Sequence, residues 1–321
     1  MPKRKKARSD AYIKTHPIHP LYLLPIMVII VLVPLIVRAN LTELSASQQM
    51  FWPDEVHVDF FSYHKSIWFT TLTYASFALV LFLYWSKRIL LEHIRMFWPI
   101  ALYLFFVVLS YLFADPKSIA TLGYMGSYQG VFVMMGYGLL ILVVSYLTVS
   151  ENHMRYLTGA FIVVGVLVGL IGATQYFGHD LYTTAFGEWL IFPTSLSDFS
   201  DSMDIRFGEN HIYATMYNTN FVGSFAALMI PFSFALFMRV RHWVYTPLLM
   251  GFFALMVFIA FGSNSRAGIV GIGSALIVIM VMFRKSLLTH PIKFLIPFVL
   301  MGSTGYALNE VSEGRIGDEL Q

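Results

Sequence analysis

Nine apolar runs, separated by polar segments, constrain this chain more than any other feature. They cover residues 21–37, 66–85, 96–114, 131–149, 156–176, 220–238, 247–261, 267–283 and 294–308. Each approaches the roughly 20 residues a helix needs to cross a bilayer. In hydrocarbon every backbone polar group must be paired within the protein, which runs of this length and continuity achieve only as helices. The expectation is an all-α, polytopic integral membrane protein with about nine transmembrane helices. Composition agrees: 12% of the 321 residues are charged, against about 25% in an ordinary soluble domain.

Basic residues orient the spans. Residues 1–20 form a basic tail with Lys3, Arg4, Lys5, Lys6, Arg8 and Lys14, which the positive-inside rule places in the cytoplasm. Alternation then puts Lys87, Arg88, Arg95, Arg155, Arg239, Arg241, Arg284, Lys285 and Lys293 on the same side, about 15 of 21 basic groups. Acidic residues do the reverse, with about 15 of 18 outside. An odd number of spans places the C-terminus outside. A basic tail before an apolar run also describes a signal peptide, with Ser45-Ala46-Ser47 as a small-residue cleavage site. Arg38 to Glu43 separate that site from the apolar run, which favours an uncleaved first span.

Several chemistries are excluded or unsupported. With no cysteine there is no disulfide, thiolate metal site or cysteine nucleophile. Phosphate loops and dinucleotide fingerprints are absent, the Ser-Asn-Ser group has no matching base for a hydrolase triad, and nothing points to nucleic acid. No cofactor and no metal is expected, because Asp198, Asp201 and Asp204 read better as loop acids on an acidic outer surface.

The polar island Gly262-Ser263-Asn264-Ser265-Arg266-Ala267-Gly268 stands out between two strongly apolar runs. An arginine at the centre of a bilayer helix costs about 2.5 to 3.5 kcal/mol on insertion scales, whereas near a helix end it reaches water. An ordinary surface turn is one reading of Arg266. The other is an anion site, because Ser263, Asn264 and Ser265 bring small donors beside a bidentate cation at a helix start. The outer lipid surface offers a matching ligand, a polyprenyl diphosphate. Arg315 lies beyond the last span on the same side, as a solvated loop residue or as the second half of a diphosphate clamp.

The long outer loop, residues 177–219, ends in a polar cluster, and loops of that length are more often functional than idle. Asn218, Thr219 and Asn220 open the next helix, where capping is the simple reading. With Tyr217, these amides also suit sugar hydroxyls. His211 is the best-placed outer histidine for a general base, and an ordinary solvated loop histidine otherwise. Gly165 with Gly169, and Gly268 with Gly271 and Gly273, read as close helix packing.

Assembled, these segments resemble the O-antigen ligase and Wzy-type polymerase superfamily of bacterial membrane glycosyltransferases. Tyr213-Ala214-Thr215-Met216-Tyr217-Asn218-Thr219-Asn220 is similar to its Gly-Thr-aromatic-x-Asn-Pro-Asn stretch, Ser265-Arg266-Ala267-Gly268 to its Ser-Arg-Gly motif, and Gly314-Arg315-Ile316 to its Gly-Arg-(Ile/Leu) opening of a large outer loop. Asp115-Pro116 and the Gly- and Tyr-rich stretch from Gly123 to Tyr137 resemble an earlier segment. The resemblance implies a fold of the GT-C type in the bacterial cytoplasmic membrane. It also implies metal-independent, inverting transfer of a glycan from an undecaprenyl-diphosphate-linked donor to an acceptor lipid, glycan or protein hydroxyl. Arg266, Arg315 and Ser265 would bind the diphosphate.

Ala267 stands where the family prefers Gly, and Thr219 where it prefers Pro. The family's catalytic histidine and last helices lie well past the Gly-Arg motif, while residues 309–321 give only the start of that loop. The resemblance therefore implies a C-terminally truncated member. Two alternatives stay open: a transporter or flippase of lipid-linked sugars, and a non-catalytic membrane remnant. A flippase should carry polar groups deep in several spans, whereas these spans are nearly bare of charge.

Overall fold

The structure, a computed structural model, describes residues 18–44, 46–50, 56–90, 94–196, 212–240, 242 and 244–311. His211, Arg315 and the acids Asp198, Asp201 and Asp204 lie outside the described residues. The chain divides into two compact units, residues 1–161 and 162–321.

In the first unit, a 3-10 turn at Pro20–Leu23 leads into α1 (Leu24–Leu35), which packs on α2 (Tyr63–Trp85). A short antiparallel ribbon, β1 (Asn40–Glu43) with β2 (Val56–Asp59), joins them, in the register Asn40 to Asp59. The all-α expectation thus gains a two-stranded ribbon, because the segment between the first two apolar runs pairs its own backbone groups. Asp59 accepts from the amides of Ser62 and Tyr63 at 2.8 and 2.7 Å, so the end of β2 caps the start of α2.

α3 (Trp98–Phe113), α4 (Lys117–Leu122), α5 (Val131–Leu147) and the start of α6 (Glu151–Tyr176) complete this unit. Lys117 donates to the carbonyls of Tyr111 and Leu112 at 2.6 and 2.8 Å, satisfying the end of α3. α3 buries no residue, and Phe113 is 82% exposed. A helix apolar on every side and unburied by protein needs hydrocarbon as its solvent.

In the second unit α6 continues to Tyr176, and the segment after it contains α7 (Ala185–Ile191). There follow α8 (Thr219–Arg239), α9 (Tyr245–Gly262), α10 (Arg266–Met282), α11 (Arg284–Thr289) and α12 (Pro291–Val311). α8 is central, packed on both α9 and α10, and α12 packs on α9. Gly165, Gly169 and Gly172 of α6 form a smooth face against Met229, Phe252, Leu255, Met256 and Ile259. A Cβ on Gly165 would stand 2.7 Å from Met229 and Phe252, so these glycines set how closely α6 approaches. At the other end of α8, the Phe234 ring lies edge-on to Phe283, Phe294 and Phe298. Lys293 donates to the carbonyls of Met238 and Val240 at 3.1 and 2.6 Å, closing the end of α8.

Among the described residues six helices are long and apolar enough to cross a membrane: α2, residues 95–113, α6, α8, α9 and residues 291–310. Three shorter apolar helices occupy residues 20–35, 131–147 and 266–282. The chain is a helical, membrane-embedded protein.

Candidate functional site

The candidate site is built on the first turns of α8 and α10. Both helices start with a side-chain cap, of which the one at Asn218 was read from sequence and the one at Ser265 was not. Asn218 precedes α8 and accepts from the Asn220 amide at 2.8 Å. Ser265 precedes α10 and accepts from the Gly268 amide at 2.9 Å. Such caps pair amide groups that a helix leaves without partners.

A side-chain bond joins the two caps. The Ser265 hydroxyl donates to Asn220 Oδ1 at 2.9 Å, and Ser265 is only 1% exposed. Further along both helices, Gly223 and Gly268 bring the two backbones into contact. A Cβ on Gly268 would lie 2.7 Å from the Gly223 Cα, and one on Gly223 would lie 2.5 Å from the Ser265 Cβ. One turn further, a Cβ on Gly271 would touch Ala227 at 3.1 Å. The pairs 220/265, 223/268 and 227/271 advance together along both helices, so α8 and α10 are parallel and their N-termini lie side by side. Gly273, by contrast, has nothing within 4 Å of the position of a Cβ, so it takes no part in this packing.

Two parallel N-termini concentrate positive potential, each equivalent to roughly half an elementary charge. Neither first turn contains an acid. Arg266 adds a full charge at the first residue of α10, is exposed, and has no hydrogen-bond or ion-pair partner among the described residues. A cation there opposes the helix dipole, so its position is unfavourable for the helix alone. The amides of Arg266 and Ala267 likewise find no acceptor among the described residues. An anion would satisfy all of these groups together.

The remaining sequence candidates are placed as follows. Asn220, Asn218 and Tyr217 are exposed beside the cap, and Tyr217 carries a left-handed backbone with φ 64°. Asn264 is also left-handed, at φ 50°, which turns the chain tightly from α9 into α10. Ser263 is fully buried and donates to the Ala260 carbonyl at 2.8 Å. Its hydroxyl proton is thus given to the last turn of α9. Ser265 organises the two helix starts through the same oxygen that was expected to meet a phosphate.

Two residues that the sequence did not single out hold the approach to α8. Gln175, near the end of α6, binds Ala214 twice: its Oε1 accepts from the Ala214 amide at 2.7 Å and its Nε2 donates to the Ala214 carbonyl at 3.2 Å. Asp180 accepts from the Tyr213 hydroxyl and from the Tyr182 amide at 3.0 Å, and Gln175 Nε2 approaches it at 3.4 Å. Burial pushes the Asp180 carboxyl above the ordinary carboxylate range, against the opposing bonds from Tyr182 and Gln175. Burial also raises the Tyr182 phenol, with the Asp180 charge adding to it. The Ile212 amide donates to the Gly262 carbonyl at 3.2 Å. Residues 212–218 are thus fixed to α6 and α9 before α8 begins. A lone Gln at the end of an apolar run was the only available sequence signal.

No protein-family model matches this chain, and no curated protein or solved structure matches it either.

Proposed function

We propose that this protein transfers a glycan from an undecaprenyl-diphosphate-linked donor to an acceptor hydroxyl at the outer face of the bacterial cytoplasmic membrane, as a surface-polysaccharide ligase or polymerase. One observation carries the reading: two parallel helix N-termini meet through Ser265 and Asn220, with Arg266, which has no partner among the described residues, beside them. In this reading all nine apolar helices span the membrane, the N-terminus is cytoplasmic, and the site faces the side where lipid-linked glycans are displayed.

The chemistry follows from the charges. The acceptor oxygen attacks the anomeric carbon, the bond from that carbon to the diphosphate oxygen breaks, and its electron pair remains on the diphosphate. Arg266 and the amides at the start of α10 stabilise that growing charge, with Arg315 as the second cation of the clamp. A base takes the acceptor proton, and His211 is the candidate drawn from the sequence. In this reading Asn218, Asn220 and Tyr217, all exposed, meet sugar hydroxyls.

The test is glycan transfer from a lipid diphosphate donor in membranes carrying the protein. Arg266→Ala is expected to lower the rate by about 100-fold or more, as loss of one preorganised charge-stabilising group does. Full activity in both Arg266→Ala and Arg315→Ala overturns the diphosphate clamp.

A further inference from the structure

The outer loop carries an aromatic face that the site does not use. α7 is pinned on one side: Ile191 is fully buried, and a Cβ on Gly187 would stand 2.1 Å from the Leu181 carbonyl oxygen. The Thr184 hydroxyl caps its start by accepting from the Gly187 amide at 3.1 Å. On the helical wheel Phe186, Trp189 and Leu190 share one arc, and Glu188 points to the other side. Phe186 and Trp189 are 58% and 70% exposed, and their rings stack with centroids 6.0 Å apart.

We propose that α7 lies in the outer headgroup layer of the bilayer and anchors the loop there through Phe186, Trp189 and Leu190. Three observations favour a lipid surface as the occupant. First, the chain comes to α7 directly from the end of an apolar helix long enough to span a membrane: Phe177, the residue after α6, is 62% exposed, and α7 begins at Ala185. Second, the exposed set combines Trp and Phe with Leu, the mixture that partitions at a membrane interface. Third, the one charged residue of α7, Glu188, lies off the apolar arc, where it reaches water. A platform for a sugar would stack on the two rings and leave Leu190 without a partner. The anchor rests on the membrane embedding and not on glycan transfer, and only its assignment to the outer layer rests on the orientation in the proposed function. Its consequence is positional: α7 follows Asp180 and Tyr182, so an anchored α7 holds in place the carboxylate that accepts from the Tyr213 hydroxyl and the Tyr182 amide ahead of α8.

The absence of cysteine from the whole sequence makes the test clean. Single cysteines are introduced by Phe186→Cys, Glu188→Cys and Trp189→Cys in the full chain, with Leu170→Cys as a control in an exposed position of α6. Each is labelled with a polarity-sensitive fluorophore in phosphatidylglycerol–phosphatidylethanolamine nanodiscs containing lipids spin-labelled at shallow or deep positions. At 186 and 189 the expected result is blue-shifted emission, lost most strongly with shallow spin labels. At 188 emission should remain water-like, and at 170 it should be lost to the deep label. Water-like, unquenched emission at 186 and 189, with normal quenching at 170, overturns the anchor. So does quenching at 188 equal to that at 189, because the face would then have no sidedness. Protection of 189 by a soluble oligosaccharide without lipid quenching identifies a glycan platform instead.

Discussion

The hydroxyl of Ser265 donates to Asn220 Oδ1 across 2.9 Å and ties the first turn of α10 to the first turn of α8. The same oxygen caps α10 through the Gly268 amide. Ser265→Ala therefore removes a cap and an interhelical bond together. A cap is worth about 0.5 to 2 kcal/mol, and the bond to Asn220 about 1 kcal/mol more. In a double-mutant cycle with Asn220→Ala, followed by unfolding in detergent, a coupling of about 0.5 to 1.5 kcal/mol is expected. Strict additivity would show that the two helix starts are independent.

Glycines 268 and 273 lie on the same helix and make opposite predictions. At Gly268 a methyl group meets the Gly223 backbone, which has no side chain to swing away. Gly268→Ala should force α8 and α10 apart, costing about 1 to 3 kcal/mol as overpacking does, and under the proposed function should reduce glycan transfer with it. Gly273→Ala meets open space and should leave stability unchanged or raised by up to about 1 kcal/mol. Thermal unfolding of the two variants side by side decides the matter, and equal effects would contradict the helix contact.

Asp180 makes stability depend on pH with a definite sign. Burial raises its folded-state pKa, so over some range the folded protein holds a proton that the unfolded chain has released. Its contribution is most favourable below the ordinary aspartate range and is lost as pH rises through the raised value. Asp180→Asn keeps an acceptor for Tyr213 and Tyr182 without that charge. The melting temperature of Asp180→Asn minus that of the unaltered protein should increase from about pH 4 to about pH 7. A constant or shrinking difference would remove burial as the dominant influence on this carboxyl.

Orientation is open to a direct measurement for the same reason that the α7 test is clean. Single cysteines at Met50, Tyr124 or Asn264 should react with a membrane-impermeant maleimide added to intact cells. Cysteines at Arg88 or Arg155 should react only after the cells are opened. Labelling of Arg88→Cys from outside would invert the topology and place Arg266 on the cytoplasmic side.

The helices were legible in the sequence because hydropathy and capping are local. The apolar run 267–283 matches α10 to within a residue, and Asn218 was recognisable as a residue that opens a helix. Gly165 and Gly169 stood out for their spacing, and they do lie where side chains press on α6. The same spacing argument fails for Gly273, because periodicity names a face of a helix and says nothing of what stands opposite it. The bond from Ser263 to Ala260 was not legible for a similar reason: whether a hydroxyl turns outward or back to its own helix depends on burial.

What the sequence by itself determined is a series of apolar helices and the polar caps at which two of them begin. Tertiary structure decided that those two beginnings are neighbours, that Gly223 and Gly268 let their backbones touch, and that Gln175 and Asp180 hold the approach. Burial in hydrocarbon and helix capping act over a few neighbouring residues and leave a periodic trace in the chain. The bond between Ser265 and Asn220 links residues 45 positions apart in sequence, and only the packing of one helix on another brings such groups within hydrogen-bonding reach.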